Sequence, residues 1–116
     1  MSHSVSFTVP GVPPSVNHYK STRNGRYYVS KEALKFKADV ALCAAKQYVA
    51  AEAYEVHLHI FLGHKQRGDL DNFLKVALDS LVAAGVIHTD SAVTRLVVEK
   101  ARDRKEPRTE FTVRAA

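Results

Sequence analysis

The segment from Tyr54 to Leu62 constrains the fold of this chain more than any other segment. Apolar side chains stand at every second position, 54, 56, 58, 60 and 62, and the positions between them are mostly polar. Alternation with a period of two is typical of a β-strand that buries one face. We therefore predict a half-buried strand over this segment.

Helix signals precede and follow this strand. Ser30 is a favourable N-cap, and the alanine-rich stretch after it predicts a helix that continues to about Ala51. From Leu70 onward, apolar residues recur at i, i+3, i+4, i+7, i+8 and i+11, which is the pattern of an amphipathic helix. This second helix is expected to end near Ala84, with Gly85 as its C-cap.

Weaker strand patterns and one loop complete the chain. Alternation or β-branched residues predict strands at 4–9, 93–98 and 111–113, whereas residues 15–25 have no periodic apolar face and predict a long ordered loop. The element order is therefore β-α-β-α-β-β, with two main helices. A length of 116 residues fits a single domain over residues 1–116.

The charge balance favours a polyanionic partner. The chain has 17 Lys and Arg against 12 Asp and Glu, a net charge of +5, and such a surplus suits nucleic acid. Cys43 is the only cysteine, so no internal disulfide can form, and no apolar run is long enough for a membrane span. We expect a cytoplasmic protein with no membrane association.

Acidic residues surround the predicted start of the second helix. Asp69 directly precedes the helix, Asp71 lies in its first turn, and Asp90 follows beyond its end. If Asp69 is extended, its carboxylate and that of Asp71 can converge, and two such charges repel unless a cation neutralises them. Hard oxygen ligands select Mg²⁺ or Mn²⁺. Helix capping and the helix dipole would also explain both residues, and Asp71 with Lys75 would form an ordinary i, i+4 ion pair.

Two sequence motifs, the first of them in two parts, resemble those of a known family. Residues 69–75 read Asp-Leu-Asp-Asn-x-x-Lys, and residues 85–90, after the helix, read Gly-Val-Ile-x-x-Asp. Near the N-terminus, residues 13–19 read Pro-Pro-Ser-x-Asn-x-Tyr. Together these motifs resemble the RusA family of Holliday-junction resolvases, and the resemblance covers nearly the whole chain in length and element order.

The resemblance implies a metal site and a catalytic set. In that family three aspartates bind a divalent metal and a lysine assists, and the matching residues are Asp69, Asp71, Asp90 and Lys75. The carboxylate ligands favour Mg²⁺ as the cofactor, or Mn²⁺ in its place. The resemblance also implies an α+β fold with a mixed sheet and two main helices, assembled as an intertwined homodimer. The chain departs from the family at 64–68, which lacks a dense arginine run, and at Thr89, where the family commonly has an acid.

Basic and polar residues near both motifs are candidate DNA contacts. Cations interleaved with tyrosines suit a phosphate backbone and exposed bases, and cations beside the acids would compensate their charge at the scissile phosphate. The candidates are Asn17, Tyr19, Lys20, Arg23, Arg26, Lys65, Arg67 and Asn72. A solvated basic loop would also explain the composition of 19–28. An Asx-turn would explain Asn17, and capping or orienting a carboxylate would explain Asn72.

These expectations lead to one functional hypothesis and two alternatives. We expect a Mg²⁺-dependent endodeoxyribonuclease that resolves four-way DNA junctions by paired symmetric nicks and uses no small-molecule cofactor. Because a junction is approximately two-fold symmetric, a homodimer with two active sites suits this reaction. A nuclease for other branched DNA, such as flaps or forks, would use the same residues. A non-catalytic nucleic-acid-binding module would keep the basic surface without metal-dependent cleavage.

Overall fold

A mixed β-sheet forms the centre of the fold, and helices cover one of its faces. The computed structural model describes residues 4–15, 20–23 and 26–116, and the side chains at 20–23 and 26–28 lie outside this description. The elements in chain order are β1 (Ser4–Pro10), β2 (Lys20–Arg23), β3 (Arg26–Val29), α1 (Lys31–Ala44), β4 (Tyr54–Leu62), α2 (Leu70–Ala83), a 3₁₀ turn (Asp90–Ala92), β5 (Val93–Arg102) and β6 (Arg108–Ala115).

The main sheet has the strand order β1-β6-β4-β5. β4 lies inside the sheet, parallel to β5 and antiparallel to β6, and β1 pairs antiparallel with β6. Parallel neighbours need a crossover connection, which α2 provides between β4 and β5. β2 and β3 form a separate antiparallel pair. This arrangement confirms the predicted α+β fold with a mixed sheet and two main helices.

The alternate apolar residues of β4 form the centre of the core, as the sequence pattern predicts. None of the five side chains at 54, 56, 58, 60 and 62 is more than 4% exposed. The first three of these side chains share a buried cluster with Phe36 and Val40 of α1 and Val76 and Leu81 of α2. The last two pack with Phe73 of α2 in a second cluster. Both helices therefore pack on one face of the sheet, and α2 carries the acidic motif on a rigid element.

Two predictions about the first half of the chain are wrong. α1 ends at Ala44 rather than near Ala51, because the next two residues adopt left-handed backbone angles, with φ of 52° and 61°. Val49 is then buried, and its amide donates to the carbonyl of Val86 at 3.0 Å, which is a tertiary contact that a local helix pattern does not reveal. The loop expected at 15–25 contains β2, and β3 follows it.

The other boundaries shift by smaller amounts. Ser30 caps α1, since its hydroxyl accepts from the amide of Ala33 at 3.2 Å. α2 has its C-cap at Ala84, and Gly85 follows with φ of 79°, the left-handed conformation that favours glycine after a helix. β5 and β6 are longer than expected. Among the described residues, no helix is long and apolar enough to cross a membrane.

Candidate active site

Asp69 occupies the N-cap position of α2, but its side chain does not cap the helix. Its backbone is extended, with φ of −79° and ψ of 149°, and its carbonyl accepts from the amide of Asn72 at 3.0 Å. The carboxylate makes no capping hydrogen bond and is exposed to solvent. Capping by the side chain therefore does not account for an aspartate here.

Asp71 lies in the first turn of the same helix and is also exposed. The expected ion pair with Lys75 is replaced by another, because Lys75 Nζ lies 3.4 Å from Asp79 Oδ1. Among the side chains that the structure describes, no cation lies within ion-pair distance of Asp69 or Asp71. The helix dipole stabilises acids at this end of α2, but the described side chains provide neither carboxylate with a counter-cation.

Exposed carboxylates at the end of a rigid helix are suitable ligands for a hard divalent cation. Mg²⁺ is commonly held by one or two protein carboxylates and retains several waters, so Asp69 and Asp71 could hold such an ion. In residues 4–15, 20–23 and 26–116, no group of three or more His, Cys, Asp or Glu side chains is close enough to hold a metal ion. Among these described residues, Asp69 and Asp71 are thus not joined by a third such side chain.

Asp90 lies at the opposite end of the sheet from Asp69 and Asp71. It begins the 3₁₀ turn before β5, and β5 starts beside Tyr54, the first residue of β4. The acidic pair instead follows Leu62, the last residue of β4. The nine residues of β4 are joined by eight steps of about 3.3 Å each, so its two ends lie about 26 Å apart. The connector after α2 therefore does not return Asp90 to the other two aspartates within one chain.

The loop at 63–68, between β4 and Asp69, is held by the end of β5. The Arg102 guanidinium donates to the carbonyls of Gly63 and Gln66, and Lys100 Nζ donates to the carbonyl of Gly68 at 3.0 Å. Lys100 was not predicted as a site residue, because nothing in the sequence around this lysine indicates a contact with a distant loop. Its partner is 32 residues away in the sequence.

Lys65 and Arg67 are exposed on this loop, next to the acidic pair. Arg67 lines two open cavities of about 440 Å³ each. One of these cavities also contains Asp69 and Lys100, and the other contains Pro13 of the N-terminal motif. The acidic motif and the N-terminal motif therefore lie near each other, with Arg67 between them.

The remaining candidate DNA contacts are described only in part. Asn17 and Tyr19 lie outside the described residues, and Asn72 is half-buried in the first turn of α2. Lys20 and Arg23 lie on β2 and Arg26 lies on β3, with their side chains outside the description. Contact between these residues and DNA stays a prediction.

Comparison with known proteins agrees with this arrangement of motifs. The family model described as Endodeoxyribonuclease RusA matches residues 10–114, which is nearly the whole chain. The chain belongs to the RusA family. This membership confirms the resemblance found in the acidic and N-terminal motifs. The proteins of the RusA family are endodeoxyribonucleases, enzymes that act on the phosphodiester bonds of DNA.

Several RusA proteins are similar to this chain over most of their length. The crossover junction endodeoxyribonuclease RusA of Escherichia coli (strain K12) is 31% identical over 114 residues, covering 96% of this chain and 94% of the relative. The protein of the same name from Enterobacteria phage HK97 is 32% identical over 87 residues, which are 72% of each chain. The Shigella sonnei relative is 29% identical over 114 residues.

Proposed function

We propose that this RusA-family protein is a divalent-metal-dependent endodeoxyribonuclease that resolves four-way DNA junctions by paired nicks. The observation that carries the proposal is the exposed pair Asp69 and Asp71, which has no cationic partner among the described side chains and lies beside a basic loop. Relatives of similar length are named crossover junction endodeoxyribonucleases. The site chemistry therefore favours cleavage of a nucleic-acid backbone, and the names of the relatives favour a branched DNA as the substrate.

Asp69 and Asp71 would hold Mg²⁺, or Mn²⁺ in its place. When bound, such an ion supplies an activated water and stabilises charge on the phosphate and the departing oxygen. Arg67 and Lys65 would bind phosphates next to the cut, and Lys75 would place a point charge near the developing anion. Lys75 can leave its partner on α2 at little cost, because an exposed i, i+4 ion pair contributes only about 0.3–0.5 kcal/mol.

We further propose that a second copy of the chain completes each active site. In one chain Asp90 is separated from Asp69 and Asp71 by the length of β4, so the three expected metal ligands do not meet. A two-fold dimer that places Asp90 of the partner subunit near the acidic pair would assemble all three ligands, and symmetry would do so twice. Two such sites suit a junction that is nicked on two opposed strands.

Cleavage of a synthetic junction with mobile arms tests the nuclease activity. We expect paired symmetric nicks with Mg²⁺ or Mn²⁺ and no cleavage in EDTA. Asp71→Asn keeps the side-chain shape but removes the charge, so it should still bind the junction in EDTA and cleave on the order of 100-fold more slowly. Asp39→Asn is the matched control, because it makes the same charge change on α1, where Asp39 pairs with Lys35, and leaves the acidic pair and Lys75 untouched.

Each of the other outcomes has a definite meaning. Cleavage by Asp71→Asn at the wild-type rate would remove Asp71 from the catalytic set. Equal cleavage of fork or flap substrates would favour a nuclease for other branched DNA. Salt-sensitive binding without metal-dependent cleavage would favour the non-catalytic binding module.

A further inference from the structure

Four cationic side chains lie on or contact the loop at 63–68, which precedes Asp69. Lys65 and Arg67 belong to the loop, and Lys100 and Arg102 reach it from β5. Within the described part of the chain, none of the four forms an ion pair with a carboxylate. Like charges at one place repel each other, so the two β5 side chains need a specific interaction that holds them there.

Backbone carbonyls of the loop provide this interaction. Lys100 Nζ donates to the carbonyl of Gly68 at 3.0 Å, and the Arg102 guanidinium donates to the carbonyls of Gly63 and Gln66, the second at 3.1 Å. Hydrogen bonds with a charged donor are roughly twice as strong as neutral ones. The end of β5 thus fixes the loop at three separate carbonyls.

The register between β4 and β5 makes these contacts possible. Lys100 lies beside Ile60 and Arg102 beside Leu62, and both partners are buried on the helix-covered face. Alternate residues of a strand point to the same side. Lys100 and Arg102 therefore both project toward the side of the sheet on which α2 begins.

We propose that Lys100 is a positioning residue of the active site and that Arg102 supports it. By holding the Gly68 carbonyl, Lys100 fixes the peptide unit that leads directly into Asp69, and so directs this carboxylate before any metal binds. The same peptide is packed from another side, because a Cβ on Gly68 would lie 2.3 Å from Phe73 Cζ. The inference rests on the metal-binding role proposed for Asp69.

Three variants of the full chain isolate this role. Lys100→Met removes the donor but keeps an unbranched side chain, and Lys100→Arg retains a donor. Lys105→Met is the matched control, because it removes the same charge from the exposed turn between β5 and β6. In the metal-free protein, the amide of Gln66, which donates to the carbonyl of Gly63 at 3.2 Å, should exchange with deuterium about tenfold faster in Lys100→Met. The other two variants should exchange as the wild type does.

Calorimetric titration of the metal-free proteins with Mn²⁺ is the second measurement. Interactions that orient a metal ligand typically change metal affinity about 10–100-fold. Lys100→Met should therefore weaken Mn²⁺ binding by about tenfold or more. Lys100→Arg should restore most of the affinity, and Lys105→Met should leave it unchanged. Junction affinity in EDTA is measured on the same samples.

Wild-type Mn²⁺ affinity in Lys100→Met would overturn the proposal. If that variant also bound the junction more weakly in EDTA, the result would assign Lys100 to direct phosphate contact instead. If thermal unfolding shows that Lys100→Met does not fold, Arg102→Gln gives the same readouts at the neighbouring carbonyls. Failure of the proposed nuclease function is distinguishable, because the wild-type protein itself would then neither bind Mn²⁺ nor cleave.

Discussion

Mixing two inactive variants distinguishes a site within one chain from a site shared between two chains. Asp69→Asn removes an acid at the start of α2, and Asp90→Asn removes the acid at the other end of β4. If the sites are shared, a heterodimer of the two variants has both substitutions in one site and none in the other. If each site lies within one chain, both sites of the heterodimer carry one substitution.

The expected magnitude follows from the length of β4 and from random exchange of subunits. The ends of β4 are about 26 Å apart, whereas metal–oxygen bonds to Mg²⁺ are about 2.0–2.1 Å long. No side-chain rotation therefore brings Asp90 to a metal held by Asp69 in the same chain. After exchange, about half of the dimers are heterodimers with one intact site of two, so nicking should recover to about a quarter of the wild-type rate.

Single-turnover nicking of a junction labelled on each strand measures this recovery. Each variant alone should be on the order of 100-fold slower than the wild type. The mixture should nick single strands but produce few paired nicks, because the second site of each heterodimer is inactive. Light scattering establishes that dimers are present, and differently tagged chains establish that subunits have exchanged. If exchanged dimers show no recovery, or if the active protein is a monomer, the shared site is refuted.

Three further changes test the loop, its charge and the turn after β5. Gly68→Ala would place a Cβ 2.3 Å from the buried ring of Phe73. Denaturant unfolding should therefore show that the free energy of unfolding falls by about 1–3 kcal/mol. An unchanged free energy of unfolding would contradict this close packing. Arg67→Ala should reduce the steepness of log junction affinity against log salt concentration by about 0.9 for each phosphate that the guanidinium neutralises. Fluorescence anisotropy in EDTA measures this slope. An unchanged slope would exclude a phosphate partner for Arg67. The Arg108 side chain, 2.8 Å from the Asp103 carboxylate, holds the pKa of Asp103 below its ordinary value of 3.8. This stabilisation is present above that value and is lost as the pH falls through the lowered pKa, so Asp103→Asn should lower the thermal midpoint near neutral pH but not at a pH below both pKa values. An equal effect at both pH values would contradict this reasoning.

Features that depend on neighbouring residues were predictable from the sequence. The apolar period identified α2, and the extended backbone expected for Asp69 is present. The alternation identified β4 and its buried face. The N-cap at Ser30 was also correct, because capping depends on residues within one turn.

Features that depend on distant contacts were missed. The end of α1 at Ala44 accompanies a contact between Val49 and Val86, and no local pattern records that contact. β2 and β3 pair through backbone hydrogen bonds, and strands of four residues are too short to show the alternating apolar residues by which strands are recognised. The ion pair expected between Asp71 and Lys75 had an equally spaced competitor in Asp79, and spacing alone does not choose between them.

By itself, the sequence determined the family, the helix that begins beside Asp69 and contains Asp71, and the basic loop before them. Each of these features depends on residues that are close together along the chain. Only the tertiary structure decided that Asp90 lies at the far end of the sheet and that Lys100 holds the peptide before Asp69. Both facts follow from the parallel pairing of β4 and β5. The register of that pair is set by burial of one face against both helices, and so by the packing of the whole core rather than by any local pattern.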